Sequence, residues 1–387
     1  MRRRDDMTFP IEEHERRLEA LRQRLAARRL DAAIISDPEN LFYLTEHQTT
    51  GYSYFQCLVV PLEDEPFMIT RAMEASNVRA RTWVEDHWSY PDTGDAIQTL
   101  YRALCGRGLD RCRVGYERNS YFFPAYQQDR IRTALADGEL VDCYGIVEEG
   151  RLCKSDLEIE VMQRAAAATE AGMRAGFDAV APGVTENEIA GAICQAMFAA
   201  GGEYPAVLPY VTSGPRTLIG HATWEGREVQ PGEHVYLEVG GCFRRYHTAM
   251  MRTVLTGERA AAMAEAEAVM AGALDEVHRV LKPGTTVSDV DKLVRDLVLD
   301  NRSGAYLATR AGYSIGIAFA PAWDEGYMLS LKQGESTYLK PGMTLHVIPW
   351  MWNIEGDKAA GMSDTVRITD DGCASFFSLE RRFAQAA

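Results

Sequence analysis

HATWEGREVQPGEHVYLEVGGCFRRYHTAMMRT, residues 221–253, has the pattern of two strands joined by a tight connection. Its Gln230-Pro231-Gly232-Glu233 segment is turn chemistry: proline presets one backbone angle and glycine accepts a left-handed one. From His234 to Val239 the chain alternates, which places His234, Tyr236 and Glu238 on one face of a strand. Gly240-Gly241 is expected to end that strand, and Tyr246 to Thr253 reads as its returning partner. Glu238 is out of place among Val235, Tyr236, Leu237 and Val239. A carboxylate at mid-strand is expected to be partly buried, and a buried charge needs a partner. From the strand alone two readings stay open: an acid in a structural ion pair or on a wet sheet face, and an acid that does chemistry.

A chain of 387 residues has room for two domains and a sizeable core. With 46% hydrophobic and 25% charged residues its composition is that of a globular protein. A formal net charge of -15 argues against nucleic acid or an anionic membrane surface as partner. No run approaches the roughly 18 apolar residues of a membrane span. The basic start, Met1-Arg2-Arg3-Arg4, is followed by no apolar segment, so no secretory signal is expected. Cysteines at 57, 105, 112, 143, 153, 194, 242 and 373 form no Cys-x-x-Cys pair. Dispersed thiols fit a cytoplasmic location better than a disulfide scaffold.

Leu18, Leu21 and Leu25 recur at helical spacing and predict a helix over 11–29. Strands are expected over 31–36, 55–61, 66–70 and 113–116, and helices over 72–81, 98–106 and 124–135. Strands alternating with helices indicate an α/β domain. The boundary is expected within 142–153. Ser155 with Glu158 has capping-box spacing and opens a long helix to about residue 176. Ala181-Pro182-Gly183-Val184-Thr185 breaks it, and a second helix runs to about residue 200. The pattern returns: a helix over 258–281, Lys282-Pro283-Gly284-Thr285, then a helix over 287–299. Two helix pairs that each feed strands read as an internal duplication.

These elements resemble the creatinase, prolidase and methionine aminopeptidase superfamily. Asn40-x-x-Tyr43-Leu44-Thr45 is similar to its amino-terminal domain. Residues 221–253 match its central hairpin through His221, Glu238 with Gly240, and Arg252-Thr253. The resemblance implies an α/β (α+β) chain. Residues 1–150 would be a creatinase/prolidase-type domain and residues 151–387 a pseudo-twofold pita-bread catalytic domain.

The metal hydrolases of that superfamily bind two cations through two Asp, one His and two Glu. The first Asp position holds Glu238 and the second holds Ala249. The His position, within Gly312-Tyr313-Ser314-Ile315-Gly316, holds Tyr313. The Glu positions hold Ile348, before Pro349, and Ser363, before Asp364-Thr365. One isolated carboxylate does not hold a catalytic cation. No metal and no other cofactor is therefore expected.

Further phrases are similar to the ectoine hydrolases, a branch of the same superfamily: Gly220-His221-Ala222-Thr223-Trp224, Leu237-Glu238-Val239, Ala311-Gly312-Tyr313-Ser314, Trp323-x-Glu325 and Met343-Thr344-Leu345-His346. Gly51-Tyr52-x-x-Phe55-Gln56 carries the similarity into the first half. The resemblance implies a metal-independent hydrolase that opens a cyclic amidine. Glu238 would face the amidinium through paired hydrogen bonds, and His221 and His346 would handle protons. Tyr313, Asp364, Arg310, Trp323 and Glu325 would line the substrate, and Arg310 or Arg245 would hold its carboxylate. It also implies a homodimer, with Tyr52 and Gln56 reaching the partner's site. Three rivals stay open: a creatinase-like amidinohydrolase on another small cation, a metal-dependent Xaa-Pro aminopeptidase, and a non-catalytic binding protein.

Overall fold

Leu18, Leu21 and Leu25 form the buried stripe of α1 (Ile11–Ala27) in the computed structural model of the protein. The structure describes residues 1, 2 and 4–386, so Arg3 of the basic start and Ala387 lie outside the described residues. The chain divides into two units, split between Arg151 and Leu152.

In the first unit α1 is followed by β1 (Ala32–Ile35), α2 (Pro38–Thr45), β2 (Cys57–Pro61), β3 (Phe67–Arg71), α3 (Ala75–Arg81), β4 (Asp86–Tyr90), α4 (Ala96–Gly106), β5 (Arg113–Tyr116), α5 (Ala125–Ala134), β6 (Glu139–Asp142) and α6 (Glu148–Arg151). The strands form one mixed sheet in the order β4-β3-β2-β1-β5-β6. The alternation of strand and helix is thus as expected. Sequence reading missed β4, whose Asp86-His87-Trp88-Ser89-Tyr90 is half exposed and lacks an apolar run, and β6 at the opposite edge. Phe55, Phe67, Tyr116 and Phe123 lie in the core against α4 and α5.

The second unit opens with α7 (Asp156–Ala179) and α8 (Glu186–Ala199). Each starts in a capping box, Ser155 with Glu158 and Thr185 with Glu188, satisfying amides that a helix start leaves unpaired. These helices pack on a sheet of β7 (Tyr210–Ser213), β8 (His234–Phe243) and β9 (Tyr246–Leu255). The pattern repeats with α9 (Ala261–Val280) and α10 (Val287–Leu299). The strands that follow are β10 (Tyr306–Leu307), β11 (Gly312–Ser314), β12 (Ser330–Leu331), β13 (Thr344–Val347), β14 (Met351–Ile354), β15 (Lys358–Ala360), β16 (Asp364–Ile368), β17 (Cys373–Ser375) and β18 (Ala384–Gln385). They add the sheets β12-β11-β13-β16-β17 and β10-β14-β15, while β18 joins β9 to give β18-β9-β8-β7. Two helix pairs, each followed by the strands it packs on, are the duplicated architecture of the pita-bread fold.

One expectation is corrected. Gly240-Gly241 does not end the strand: β8 runs through it, with Gly240 opposite Ala249 and Gly241 opposite Thr248. The glycines allow close approach instead. A Cβ on Gly241 would lie 2.5 Å from the Ala165 carbonyl of α7, and one on Gly240 would lie 2.5 Å from the Trp323 ring. The β8–β9 hairpin is thereby pressed between a helix and an indole, and this fixes where Glu238 sits.

Candidate active site

Alternation along β8 puts Tyr236 and Glu238 on one face, and β7 pairs in a register that sets Tyr210 directly opposite Glu238. A small cleft lies over that carboxylate. Its walls include Tyr210 and Thr212 from β7 and Tyr236 from β8. His221 comes from the loop before β8 and Trp350 from the segment before β14.

Glu238 is 7% exposed. Its Oε2 accepts one hydrogen bond, from the Tyr236 hydroxyl at 2.7 Å. Among the described residues no Lys, Arg or His forms an ion pair with it. Burial pushes its carboxyl up to about 7, and the Tyr236 hydrogen bond only partly offsets that. The same carboxylate and the same burial push the Tyr236 and Tyr313 phenols upward, and Tyr210 up to about 12. The structure thus holds an acid in an aromatic enclosure without a counter-ion.

His221 sits at an exposed loop position with φ 57°, its ring 6.3 Å from that of Tyr210. His346 is different: it is fully buried in a chain of hydrogen bonds. The Trp323 indole donates to the Tyr313 hydroxyl at 3.0 Å, which bonds His346 Nδ1 at 3.0 Å. His346 Nε2 bonds Ser363 Oγ at 2.6 Å, and Ser363 Oγ accepts the Met251 amide at 2.7 Å. Burial, with the positive charges of Arg310 and Arg252, holds the His346 imidazole down at about 3. It is a neutral relay link at physiological pH and carries no charge to a substrate.

Several other expected site residues are engaged elsewhere. Both Asp364 oxygens are taken by arginines, Arg252 at 2.9 Å and Arg381 at 2.8 Å. Glu325 is buried against Lys154 Nζ at 2.6 Å and accepts from Ser314 Oγ at 3.1 Å. Arg310 pairs with Asp324 at 2.8 Å, donates to Ser330, and lies over the Tyr313 ring. Arg245 gives its N–H groups to the Ala318 and Tyr204 carbonyls, between the Tyr204 and Phe319 rings. Trp323 packs edge-on against Tyr210 at 5.6 Å, beside the cavity. In the first unit Gln56 bonds His47 at 3.0 Å and Tyr52 packs on Phe122.

Ala249, Ser363 and Ile348, at positions where the resemblance would put metal ligands, make backbone and packing contacts. The Ala249 amide donates to Thr365 Oγ1 at 3.0 Å, and Thr365 Oγ1 donates back to the Ala249 carbonyl at 2.8 Å. Ser363 caps Met251, and Ile348 is buried. The wall around Glu238 offers no second carboxylate, and this donor set does not fit a pair of divalent cations. Among the described residues, the acids close enough to share an ion are Asp37, Glu117 and Glu148, in the first unit.

Sequence reading named neither Tyr210 nor Trp350 as a site residue. Tyr210 has no motif of its own and reaches Glu238 only through strand register. Tyr236 was on the Glu238 face by alternation, a usable signal.

The comparisons agree with this architecture. Residues 160–370 match the model of metallopeptidase family M24, and residues 17–153 match the creatinase/prolidase N-terminal domain. The chain is 29% identical to an ectoine hydrolase of Halomonas elongata, over 97% of this chain and 98% of that one. It is 31% identical to an uncharacterised hydrolase/peptidase of Sinorhizobium fredii, over 94% of each. In fold it matches a prolidase of Thermococcus sibiricus with TM-score 0.85 at 18% identity, covering 96% of this chain and 99% of that one. The chain belongs to metallopeptidase family M24 and is a hydrolase of that family, built on the pita-bread fold behind a creatinase/prolidase-type amino-terminal domain.

Proposed function

We propose that the protein is a metal-independent hydrolase that opens the cyclic amidine ring of ectoine, giving N-acetyl-L-2,4-diaminobutyrate. The observation that carries this reading is Glu238: a buried carboxylate with one neutral hydrogen-bond donor and no cation to pair with. An amidinium is planar and delocalised and supplies the missing charge through two parallel N–H donors. The aromatic walls of Tyr210, Tyr236 and Trp350 suit such a cation as well. Similarity to an ectoine hydrolase along almost the whole chain supports the same reading.

In this account Glu238 ionises as the amidinium docks and holds the ring with its central carbon exposed. His221, at the pocket wall, takes a proton from a water that adds to that carbon. The tetrahedral adduct collapses with cleavage of one C–N bond. The proton held by His221 goes to the departing nitrogen, the hydroxyl proton of the adduct follows it so that the amine leaves as an ammonium, and the other nitrogen stays in the acetamide. All atoms of ring and water are then accounted for, and no step needs a metal. The Trp323–Tyr313–His346–Ser363 chain holds the Trp323 ring against Tyr210. It positions the wall, and His346 stays neutral.

A substrate panel tests the proposal: ectoine, creatine and an Xaa-Pro dipeptide, each with the products identified by mass spectrometry. Ring opening of ectoine alone supports it. Turnover of creatine alone points to an amidinohydrolase, and chelator-sensitive dipeptide cleavage points to an aminopeptidase.

A further inference from the structure

Trp350, in the wall of the cleft over Glu238, carries a buried donor whose acceptor is missing. The indole N–H of Trp350 has no hydrogen-bond partner among the described residues, although the residue is only 8% exposed. Its ring is firmly placed. It stacks on Tyr236 with centroids 5.2 Å apart and planes 7° apart, and the Trp352 ring packs against it at 4.7 Å. Its backbone N–H is fixed on the Ile348 carbonyl. Tyr236 is the residue whose hydroxyl orients Glu238, so the indole and the carboxylate are tied to one phenol ring. Leaving a buried N–H unsatisfied is unfavourable, and native structures rarely do so without a ligand or water to complete the bond. The arginines that could hold an anionic group do not compensate, since Arg245 is spent on carbonyls and Arg310 on Asp324.

We propose that the Trp350 indole N–H binds an acceptor oxygen of the substrate, so that the pocket selects zwitterions: the delocalised cation on Glu238 and the carboxylate on Trp350. This rests on the cyclic-amidine reading above and adds the residue that distinguishes ectoine from the same ring without its carboxylate. A site built to satisfy a polar group discriminates against the analogue lacking it, because the site's own donor is then left unpaired.

The test compares ectoine with 2-methyl-1,4,5,6-tetrahydropyrimidine, its ring without the carboxylate, in wild type and in Trp350→Phe. Phenylalanine keeps an aromatic face against Tyr236 and removes the N–H. The variant is expected to lose about ten- to a hundredfold more in kcat/KM for ectoine than for the ring-only amidine, mainly through KM. Equal losses on both substrates, or no loss on either, would overturn the assignment. Should the variant lack a cooperative thermal transition, wild type decides: ring-only turnover within about threefold of ectoine contradicts an acceptor contact in the pocket. If wild type opens neither amidine, it is the cyclic-amidine reading that has failed, and the assignment to Trp350 falls with it.

Discussion

The Tyr236 hydroxyl donates to Oε2 of Glu238 across 2.7 Å, two residues apart on the same face of β8. This neutral contact is what the protein offers a buried carboxylate in place of a counter-ion. The acid is therefore poised near neutrality, at about 7, and gains from any cation that enters.

Glu238→Gln is expected to stabilise the protein above neutral pH while abolishing turnover. The folded-state carboxyl titrates at about 7, above its ordinary value of 4.5. Its contribution to stability is therefore fully present below about pH 4.5 and is lost as pH rises through 7. At about 1.4 kcal/mol per pH unit the loss is on the order of 3 kcal/mol. Urea unfolding at pH 5 and pH 8 reads it: the variant gains on wild type mostly at pH 8.

Tyr236→Phe keeps the ring stacked on Trp350 and removes the donor to Glu238. That hydrogen bond lowers the Glu238 carboxyl, so its loss raises it. The acid limb of the kcat/KM profile should move upward by about one pH unit, the equivalent of one hydrogen bond to a charge. An unmoved limb would show that Glu238 is not the group titrating there.

Lys154→Met should be strongly destabilising, because it leaves Glu325 buried without its cation. Breaking one side of such a pair costs about 3–5 kcal/mol, whereas Lys154→Met with Glu325→Leu should recover most of it. Chemical denaturation of both variants measures the difference.

The fold was legible wherever local chemistry is strong. The capping box at Ser155 and the Pro-Gly breaks placed the duplicated helix pairs, because a helix start satisfies its own amides with nearby side chains. Gly240-Gly241 misled, since from sequence a glycine that breaks a strand looks like one that admits a neighbouring helix. The site was legible only in part, for a similar reason. Alternation put Glu238 on an inner face, but whether Asp364, Glu325 and Arg310 face a ligand or one another depends on long-range pairing. Arg381 and Lys154 hold two of them, and neither carries a motif. Trp350 reaches the cavity from more than a hundred residues beyond Glu238, with nothing in its neighbours to announce it.

On the proposed reading Glu238 serves an organic cation without a metal. The most direct measurement is NMR of ectoine incubated with chelator-treated wild type and with Glu238→Gln. N-acetyl-L-2,4-diaminobutyrate is expected from the wild type at a rate unaffected by chelator, and none from the variant. Turnover that chelator abolishes and a divalent cation restores, or an equal rate in Glu238→Gln, would contradict it.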